Sequence, residues 1–446
     1  MNLFMLMKTL NFIVYQVLSN ETIFLGLVAL IGLLLQKKRF PQVIDGTVKT
    51  IIGLTVLTAG AGVLINALSP VVRKLNSTLH VKGVLPTNDA VFGVVAKFNN
   101  IAKDTVITFL LAFLLHLLLV RLTHKQIFKN AYLTAHLALY HAAFMNVTLP
   151  TVLHTNGFWT VVIATILNAI YYTYSPAIPR KLSRSWMYDV STLGFMDQVG
   201  SLLATGIGKV FGSKDPSQDA DHLKLPKWAS MFRDNTIMLF FLMPIIFVGI
   251  GLAVGRSGIQ SLIGGGADAT NWILWLILEG FQFTAGIVIL LQGVRMFIGS
   301  IVPAFKGISD KFLPGAIPAL DAPTIFPYSP MGGMFGFLGS TVGCILVTFI
   351  TIIFHSPVIV FPSPIIMYFD GNVMGIFGNK AGGWRGAVAA GFITGMISSA
   401  AVILFYPLTN VCYGSGLTWS NIDYALVWMP LMYILKWIRL AILALI

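Results

Sequence analysis

The stretch GAIPALDAPTIFP, residues 315–327, is the most informative part of the sequence for the fold, because it places a carboxylate, Asp321, among prolines in a strongly apolar chain. Proline removes a backbone donor and interrupts a helix. A carboxylate inside a bilayer is costly and therefore tends to be functional. Irregular backbone at membrane depth is tolerated only where it is buried in protein or lines a water-filled cavity. The stretch therefore predicts a broken membrane segment that lines a binding site.

The composition of the chain is that of a membrane protein. Of its 446 residues, 56% are hydrophobic and 10% are charged, whereas soluble domains carry about 25% charged residues. One bilayer crossing takes roughly 20 apolar residues, so we expect about ten or eleven crossings. Backbone groups in lipid must be satisfied internally, and long apolar runs therefore predict helices rather than a barrel. The expected fold class is an all-α polytopic membrane protein.

The positive charge lies between the apolar segments. The net charge is +13, and basic residues cluster at positions 37–39 and 180–233. Such clusters mark cytoplasmic loops and attract anionic lipid headgroups, so we expect membrane lipid and no nucleic acid as a partner. Two cysteines give neither a disulfide framework nor a metal site. No phosphate-binding loop is present, and we expect no cofactor, no metal and no catalytic residue.

Short motifs recur in the same order in the two halves of the chain. VKTIIG at residues 48–53 is echoed by VRMFIG at 294–299, and GVLPTND at 83–89 is echoed by GAIPALD at 315–321. An Asn-Val pair followed by a tryptophan also recurs, at Asn146 and again at Asn372. Ordered matches of this kind predict an internal duplication. Glycine- and proline-interrupted segments at matching places are the sequence sign of a transporter site.

The motifs divide the chain into four parts. Residues 1–175 form the first transmembrane repeat, and residues 176–270 form a central linker with a basic cytoplasmic loop and a connecting helix. Residues 271–407 form the second repeat, and residues 408–446 form a C-terminal transmembrane helix.

Asp89 and Asp321 occupy equivalent positions in the two halves, each three residues after a proline. The cost of an intramembrane carboxylate favours a role in function. An aspartate at a restarted helix also caps the free backbone N–H groups, and the two roles are compatible. His136 and Tyr140 share one helical face by their spacing, which suggests a second pair of site residues. Glu279 is either a proton-coupling group or a group paired across helices.

Four stretches together resemble a known family. They are GTVKTIIGLTVLTAGAGVL, LKLPKW, QGVRMFIGSIVPAFKGISDKFLPGAIPALD and GNVMGIFGNKAGGWRGA, in this order along nearly the whole chain. They are similar to the ascorbate-type enzyme IIC, the permease component of the bacterial phosphoenolpyruvate-dependent sugar phosphotransferase system.

The resemblance implies a fold, a location and partners. The expected protein is a homodimer in the bacterial inner membrane, with eleven transmembrane segments per subunit. Each subunit would have a dimerising scaffold and a mobile core, built from two inverted repeats with re-entrant segments, and would carry sugar by an elevator-like motion. A separate cytosolic IIB protein, phosphorylated on cysteine by an upstream IIA, would phosphorylate the sugar. The chain itself would be a transport component and not an enzyme.

The resemblance also implies which residues bind substrate. The family's aspartate and histidine correspond to Asp321 and His136, and its glutamine four residues after the histidine is replaced by Tyr140. The family's glycine-rich turn corresponds to Gly60 and Ala61, with alanine where ascorbate carriers tend to have serine. The family's threonine–tyrosine pair is replaced by Asn88 and Asp89. Its GHQQQ run reads GFMDQ here, with Phe195, Met196 and Asp197 at the changed positions.

These replacements leave the substrate open. L-Ascorbate is the substrate that the resemblance implies, and it is a monoanion at neutral pH. Added carboxylates at Asp89 and Asp197 suit a neutral pentose, hexose or alditol, whose hydroxyl groups donate charge-assisted hydrogen bonds. A different class of function is a proton-coupled secondary transporter with Glu279 and Asp321 as its relay.

Overall fold

The computed structural model describes residues 21–78, 83–95, 98–213, 215–223, 235–263, 271–409, 412 and 417–445. Most of these residues are helical. The α-helices, in chain order, are α1 Glu21–Leu35, α2 Phe40–Thr78, α3 Asn88–Val95, α4 Asn99–Leu122, α5 Ala135–Leu153, α6 Gly157–Tyr174, α7 Ala177–Met187, α8 Gln198–Phe211, α9 Asn235–Val254, α10 Arg256–Ile263, α11 Trp272–Phe312, α12 Pro330–Ile353, α13 Pro364–Phe405 and α14 Met429–Leu445.

Several of these helices are long and apolar enough to cross a bilayer. Among the described residues there are 6 such helical segments, or up to 7 if the pair Leu239–Leu252 and Arg256–Ile263, bent by 112°, is one broken span. This confirms a helical, multi-pass membrane protein. The expected number of eleven crossings stays a prediction, and part of the basic region, residues 224–234, lies outside the described residues.

Short strands interrupt the helices, which the all-α expectation did not include. They are β1 Gly83–Pro86, β2 Asn130–Tyr132, β3 Thr192–Leu193, β4 Ile317–Leu320, β5 Ile359–Val360 and β6 Leu417–Thr418. They form two parallel three-stranded sheets, one in the order β5-β1-β6 and the other in the order β2-β4-β3. Each central strand belongs to a G-x-x-P-x-x-D motif, so both broken segments satisfy part of their backbone through a sheet.

The pairing crosses between the halves of the chain. In the first sheet, Gly83 is in register with Ile359 and Leu85 with Leu417. In the second sheet, Asn130 is in register with Ile317 and Leu193 with Leu320. The central strand of each sheet therefore comes from one half and pairs with a strand from the other half. The third strand comes from the C-terminal part in the first sheet and from the central linker in the second.

Large aromatic side chains fill the interior next to the sheets. Trp419, which directly follows β6, is fully buried. Its ring lies 5.7 Å from that of Phe144, and the ring of Phe144 lies 5.0 Å from that of Tyr424. Such packing holds α5 and β6 against the π-helical segment Tyr424–Trp428, which begins the last helix and continues into α14.

Helices α12 and α13 pack closely because glycines face each other across the contact. A Cβ atom at Gly336 would lie 2.2 Å from the backbone oxygen of Gly371 and 2.3 Å from the Cα atom of Gly375. Both neighbours are backbone atoms, which cannot turn away as a flexible side chain would. Small residues of this kind let transmembrane helices approach closely.

Gly336→Ala should therefore destabilise the protein by about 2 kcal/mol, the usual cost of overpacking a tight contact. The measurement is thermal unfolding of the purified protein in detergent. Gly206→Ala is the matched control, because a Cβ atom there meets nothing within 4 Å. Equal unfolding temperatures for the two variants would contradict the packing described here.

Candidate functional site

The second sheet brings three predicted site residues together. Since parallel strands end at the same edge of a sheet, the residues that follow β2, β3 and β4 lie close to one another. His136 follows β2 in the first turn of α5, Asp197 precedes α8 after β3, and Asp321 directly follows β4. In many transporters, the substrate binds where membrane helices are broken.

Asp321 faces His136 and also begins a helical turn. The Nε2 atom of His136 lies 3.7 Å from Oδ2 of Asp321, which makes an ion pair when the histidine is protonated. The other carboxylate oxygen, Oδ1, accepts a hydrogen bond of 2.8 Å from the Ala322 N–H. The side chains are 16% and 12% exposed, respectively. Asp321 therefore caps a helical turn and also faces another predicted site residue.

Tyr140 lies one helical turn after His136, as the spacing predicts. Their rings are 5.9 Å apart and meet edge to face. Tyr140 is buried, and the ring of Phe92 lies 5.5 Å from its ring. The Tyr140 side chain therefore packs beside His136, next to the His136–Asp321 pair.

At the end of the first sheet, amide and carboxylate side chains are hydrogen-bonded in series. Asn88, just after β1, donates a hydrogen bond of 2.5 Å to Oδ1 of Asn421, which follows β6. Asn421 in turn donates to Asp370 Oδ1 at 2.5 Å, and the Ile422 N–H donates to Asp370 Oδ2 at 3.2 Å. Asn88 also lies 4.0 Å from the sulfur of Met196. This contact connects the first sheet to the turn that carries Asp197.

Asp423 ties the last helix to the start of α8. Its carboxylate accepts hydrogen bonds from the Val199 N–H at 3.0 Å and the Gly200 N–H at 2.8 Å. The Tyr171 hydroxyl donates to the same carboxylate at 2.5 Å, and the Asp423 N–H donates to the Met196 carbonyl at 3.0 Å. Asp423 is fully buried. It therefore caps a helix that begins more than two hundred residues earlier in the chain.

Asp197 differs from these carboxylates. Its side chain is fully buried, and neither carboxylate oxygen has a hydrogen-bond partner among the described residues. It interacts electrostatically with Asp370, Asp423 and Asp321, all of which are acids. A buried polar group without a partner is unusual in a native protein and calls for a specific explanation.

The structure describes fewer contacts for the remaining predicted site residues. Phe195 and Met196 are buried beside Asp197, and the Phe195 carbonyl accepts a hydrogen bond of 3.5 Å from the Tyr132 hydroxyl. Gly60 is buried within α2. The side chains of Ala61 and Asp89 lie outside the described part of the chain, although both residues belong to helices.

Asn421, Asp423 and Tyr171 were not predicted as site residues. The available signal was the SNID stretch at residues 420–423, which places polar residues and an acid at the start of the final apolar segment. An acid in the first turn of a helix also fits ordinary capping, and nothing local shows that its partner is α8.

Two cavities lined by described residues lie elsewhere. One of about 520 Å³ is bordered by Asp104, Asn146 and His154, and one of about 470 Å³ by Asp45, Lys49 and Arg295. Among the described residues, no three His, Cys, Asp or Glu side chains converge as metal ligands. The arrangement at the strand ends offers hydrogen-bond acceptors and a histidine, which suit a hydroxyl-rich molecule.

Comparison with known proteins supports this interpretation. The model of the EIIC-GAT family, described as the PTS system sugar-specific permease component, matches residues 16–423. A protein of Mycoplasma pneumoniae (strain ATCC 29342 / M129 / Subtype 1), named "Ascorbate-specific PTS system EIIC component", is 26% identical over 463 residues. The match covers 88% of this chain and 66% of the relative, so the chain spans slightly less than two thirds of that protein's length. The resemblance drawn from the residues is confirmed: this multi-pass membrane protein belongs to the EIIC-GAT family of sugar-specific permease components of the phosphotransferase system.

Proposed function

We propose that the chain binds L-ascorbate or a related sugar between the strand ends and carries it across the cell membrane for phosphorylation. The observation that carries this proposal is the convergence of Asp321, His136 and Asp197 at one sheet edge. Carboxylate groups there can accept hydrogen bonds from sugar hydroxyls, and an imidazole can accept or donate them. The ring of Tyr140 lies beside His136. The name of the Mycoplasma relative supports ascorbate as the substrate.

In this proposal, a partner protein donates the phosphoryl group to the sugar. A cytosolic IIB protein, charged by IIA, holds the phosphoryl group on a cysteine. The sulfur–phosphorus bond breaks as a sugar hydroxyl oxygen bonds to phosphorus, and the hydroxyl proton leaves to solvent. The permease contributes binding and position and is not itself an enzyme. Its family description as a permease component supports this division.

We further propose the two-repeat architecture with a scaffold, a mobile core and a homodimeric assembly. Matching elements in the two halves support the repeats: β1 and β4 are both central strands, and α4 and α12 both have 24 residues. The break between α5 and α6 corresponds to the non-helical Gly382 and Gly383 within α13. By the same correspondence, the residues from β3 to α8 match the residues from β6 to α14. These two stretches lie outside the predicted repeats, in the central linker and in the C-terminal part of the chain.

A neutral sugar or alditol is the second candidate substrate, and the unpaired Asp197 carboxylate favours it. A carboxyl group forms hydrogen bonds with the hydroxyl groups of a polyol in either protonation state.

The test uses membrane vesicles that contain the protein together with purified phosphorylated IIB and labelled sugars, L-ascorbate among them. The expected result is accumulation of one sugar as its phosphate ester, dependent on phosphorylated IIB. Accumulation of an unmodified solute that follows a proton gradient would contradict the proposal and favour a secondary transporter.

Glu279→Gln separates the same two mechanisms by mutation. Glu279 lies within α11, in a segment apolar enough to span the membrane. A group-translocating carrier needs no titratable residue there, so we expect sugar phosphate accumulation to stay within about twofold of the unmodified protein, because most changes away from a site cost little. The measurement is uptake with phosphorylated IIB, with and without an uncoupler. A more than tenfold loss, with sensitivity to the uncoupler, would contradict the prediction.

A further inference from the structure

The cavity of about 520 Å³ lies where α5 ends and α6 begins, and none of the predicted sugar-site residues borders it. Oxygen atoms reach its border from Asp104 of α4, from Asn146 and Thr151 of α5, and from Thr155 in the turn before α6. No lysine or arginine is among the described residues that border it. The lining therefore favours a positively charged ligand over an anion.

The cavity lies toward the outer side of the membrane. At its far end, α4 carries Arg121, and His124 and Lys125 follow it. Such basic residues mark the cytoplasmic side. A helix of 24 residues is about 36 Å long, which is enough to cross the bilayer. The start of α4, which carries Asp104, is therefore on the opposite side.

Asn146 presents an acceptor that no described residue satisfies. Its side chain is 4% exposed, and Nδ2 donates to the Thr108 hydroxyl at 2.9 Å and to the Ala142 carbonyl at 2.8 Å. Because a carbonyl only accepts, the amide nitrogen must be the atom that faces Ala142. The other atom, Oδ1, is buried at the border of the cavity without a hydrogen-bond partner. A buried polar group of this kind calls for a specific explanation.

Pro150 leaves a second oxygen of Asn146 without its usual donor. In a regular helix the Asn146 carbonyl would accept from the N–H of residue 150, and proline has no N–H. Pro150 lies inside α5 and borders the cavity, and α5 ends at Leu153. The C-terminal end of a helix carries partial negative charge. In many transporters, freed carbonyls and such helix ends coordinate sodium ions.

The threonine hydroxyls also direct oxygen lone pairs, not protons, to a ligand. Thr160 donates its proton to the Asn156 carbonyl at 2.9 Å, so Thr155 must be the donor in the 2.7 Å contact between the two hydroxyls. Thr151 donates to the Val147 carbonyl at 3.4 Å. Since their protons are committed within the protein, Thr151 and Thr155 can act toward a ligand only as acceptors.

Asp104 supplies the negative charge of this oxygen set. Its carboxylate lies beside the start of α6, because a Cβ atom built at Gly157 would be 3.1 Å from Oδ2. Lys103, its neighbour in the chain, is exposed and does not border the cavity. Calcium sites usually collect several carboxylates, and charge count sets their affinity. One carboxylate among neutral oxygens suits a monovalent cation instead.

The matching break in the second half is covered by the chain itself. Residues 215–222 lie over the break within α13, where Trp384 Nε1 donates to Gln218 Oε1 at 3.0 Å. The Met331 N–H at the start of α12 donates to Asp221 Oδ1 at 2.9 Å. The proposed repeat places the cavity at the corresponding position in the first half. A bound ligand would complete there what a chain segment completes in the second half.

We infer that this cavity binds a sodium ion, held by the Asp104 carboxylate, the two oxygens of Asn146 and the Thr155 hydroxyl. The ion places positive charge against the C-terminal end of α5 and so stabilises the break between α5 and α6. The oxygens come from three helices and a turn, so no sequence spacing announces the site. The inference goes beyond the proposed function, which requires no ion.

The experiment measures equilibrium binding of radioactive sodium to the purified full-length protein in a choline chloride buffer. The expected result is saturable binding of about one ion per chain, with a dissociation constant in the millimolar range, as for sites with little charge. Asp104→Asn should weaken binding about tenfold or more, because it removes the charge of the site. Thr155→Ala removes one neutral oxygen and should weaken binding about threefold. This second variant tests the site even if the first does not fold.

Asp45→Asn is the matched control. It removes an acid from the border of the other cavity, where Lys49 and Arg295 already supply positive charge. Sodium binding by this variant should equal that of the unmodified protein.

Thermal unfolding separates an ion site from a purely structural role of Asp104. A ligand that binds the folded protein raises its unfolding temperature. Sodium chloride should therefore stabilise the unmodified protein relative to choline chloride at equal ionic strength, whereas Asp104→Asn should unfold at the same temperature in both salts. An acid that only offsets the positive start of α6 would give a variant destabilised equally in both salts, and this result would overturn the inference.

Two results of the binding measurement would also overturn it. One is the absence of saturable sodium binding to the unmodified protein. The other is displacement of sodium by micromolar calcium, which would show a divalent site. Neither result bears on the permease function, because uptake with phosphorylated IIB is measured separately.

Discussion

Asp321→Asn should abolish sugar uptake and leave the protein folded. Asparagine is about as good a helix cap as aspartate, so the contact with the Ala322 N–H can persist and stability should change by less than about 1 kcal/mol. The charge that faces His136 at 3.7 Å is lost. Hydrogen bonds to a charged group are worth about 1.5–3 kcal/mol, so binding should weaken roughly 10- to 100-fold from this contact alone. At sugar concentrations well below the dissociation constant, this loss of affinity should bring uptake down to background.

The measurement combines uptake into vesicles with thermal unfolding of the same purified variant. Asp45→Asn, which changes an exposed acid paired with Lys49, serves as the control for expression and charge. Uptake by Asp321→Asn at more than half the normal rate would show that Asp321 is only a helix cap.

Asp423→Ala should cause the largest loss of stability among single changes at the site. The alanine would leave two N–H groups of α8, at Val199 and Gly200, without their acceptor. The Tyr171 hydroxyl would keep Gln198 Oε1 as its acceptor, at 2.7 Å. Each buried donor left unsatisfied costs about 1–3 kcal/mol, so the free energy of unfolding should fall by about 3 kcal/mol or more.

Asp423→Asn tests this cause. Its amide oxygen can still accept a hydrogen bond from an N–H group of α8, so this variant should recover part of the lost free energy of unfolding. The readout is reversible unfolding of the purified protein in mixed detergent micelles, with Asp45→Ala as the exposed comparison. A loss below 1 kcal/mol for Asp423→Ala would show that the contact between the last helix and α8 carries little of the stability.

The central part of the site could be predicted from the sequence because its signals are local. Asp321 stands out as an acid among prolines, and the spacing of His136 and Tyr140 places them on one face of a helix. The structure brings all three together. Local rules suffice here, since proline chemistry and helical periodicity act over a few residues.

The sheets could not be predicted in the same way. β3, β5 and β6 have two residues each, which is too short for the alternation that marks a strand. Their pairing joins residues that are far apart in sequence, such as Gly83 and Ile359. The prolines predicted where helices break, and the partners of the freed backbone groups depend on tertiary structure alone.

The role of Asp423 could not be predicted from the sequence for the same reason. Its position suggests a cap for its own helix, but its carboxylate caps α8 instead. Asp370 shows the same feature, since it lies within α13 and accepts from the backbone of Ile422. A cap supplied from another part of the chain has no fixed spacing, so no sequence motif describes it.

The central claim is that the strand ends around Asp321, His136 and Asp197 form the sugar site, and the most direct test is an experimental structure of the purified protein with the transported sugar bound. The account predicts sugar density within hydrogen-bonding distance of Asp321, with hydroxyl groups toward Asp197. Density in the cavity bordered by Asp104, Asn146 and His154 would contradict it.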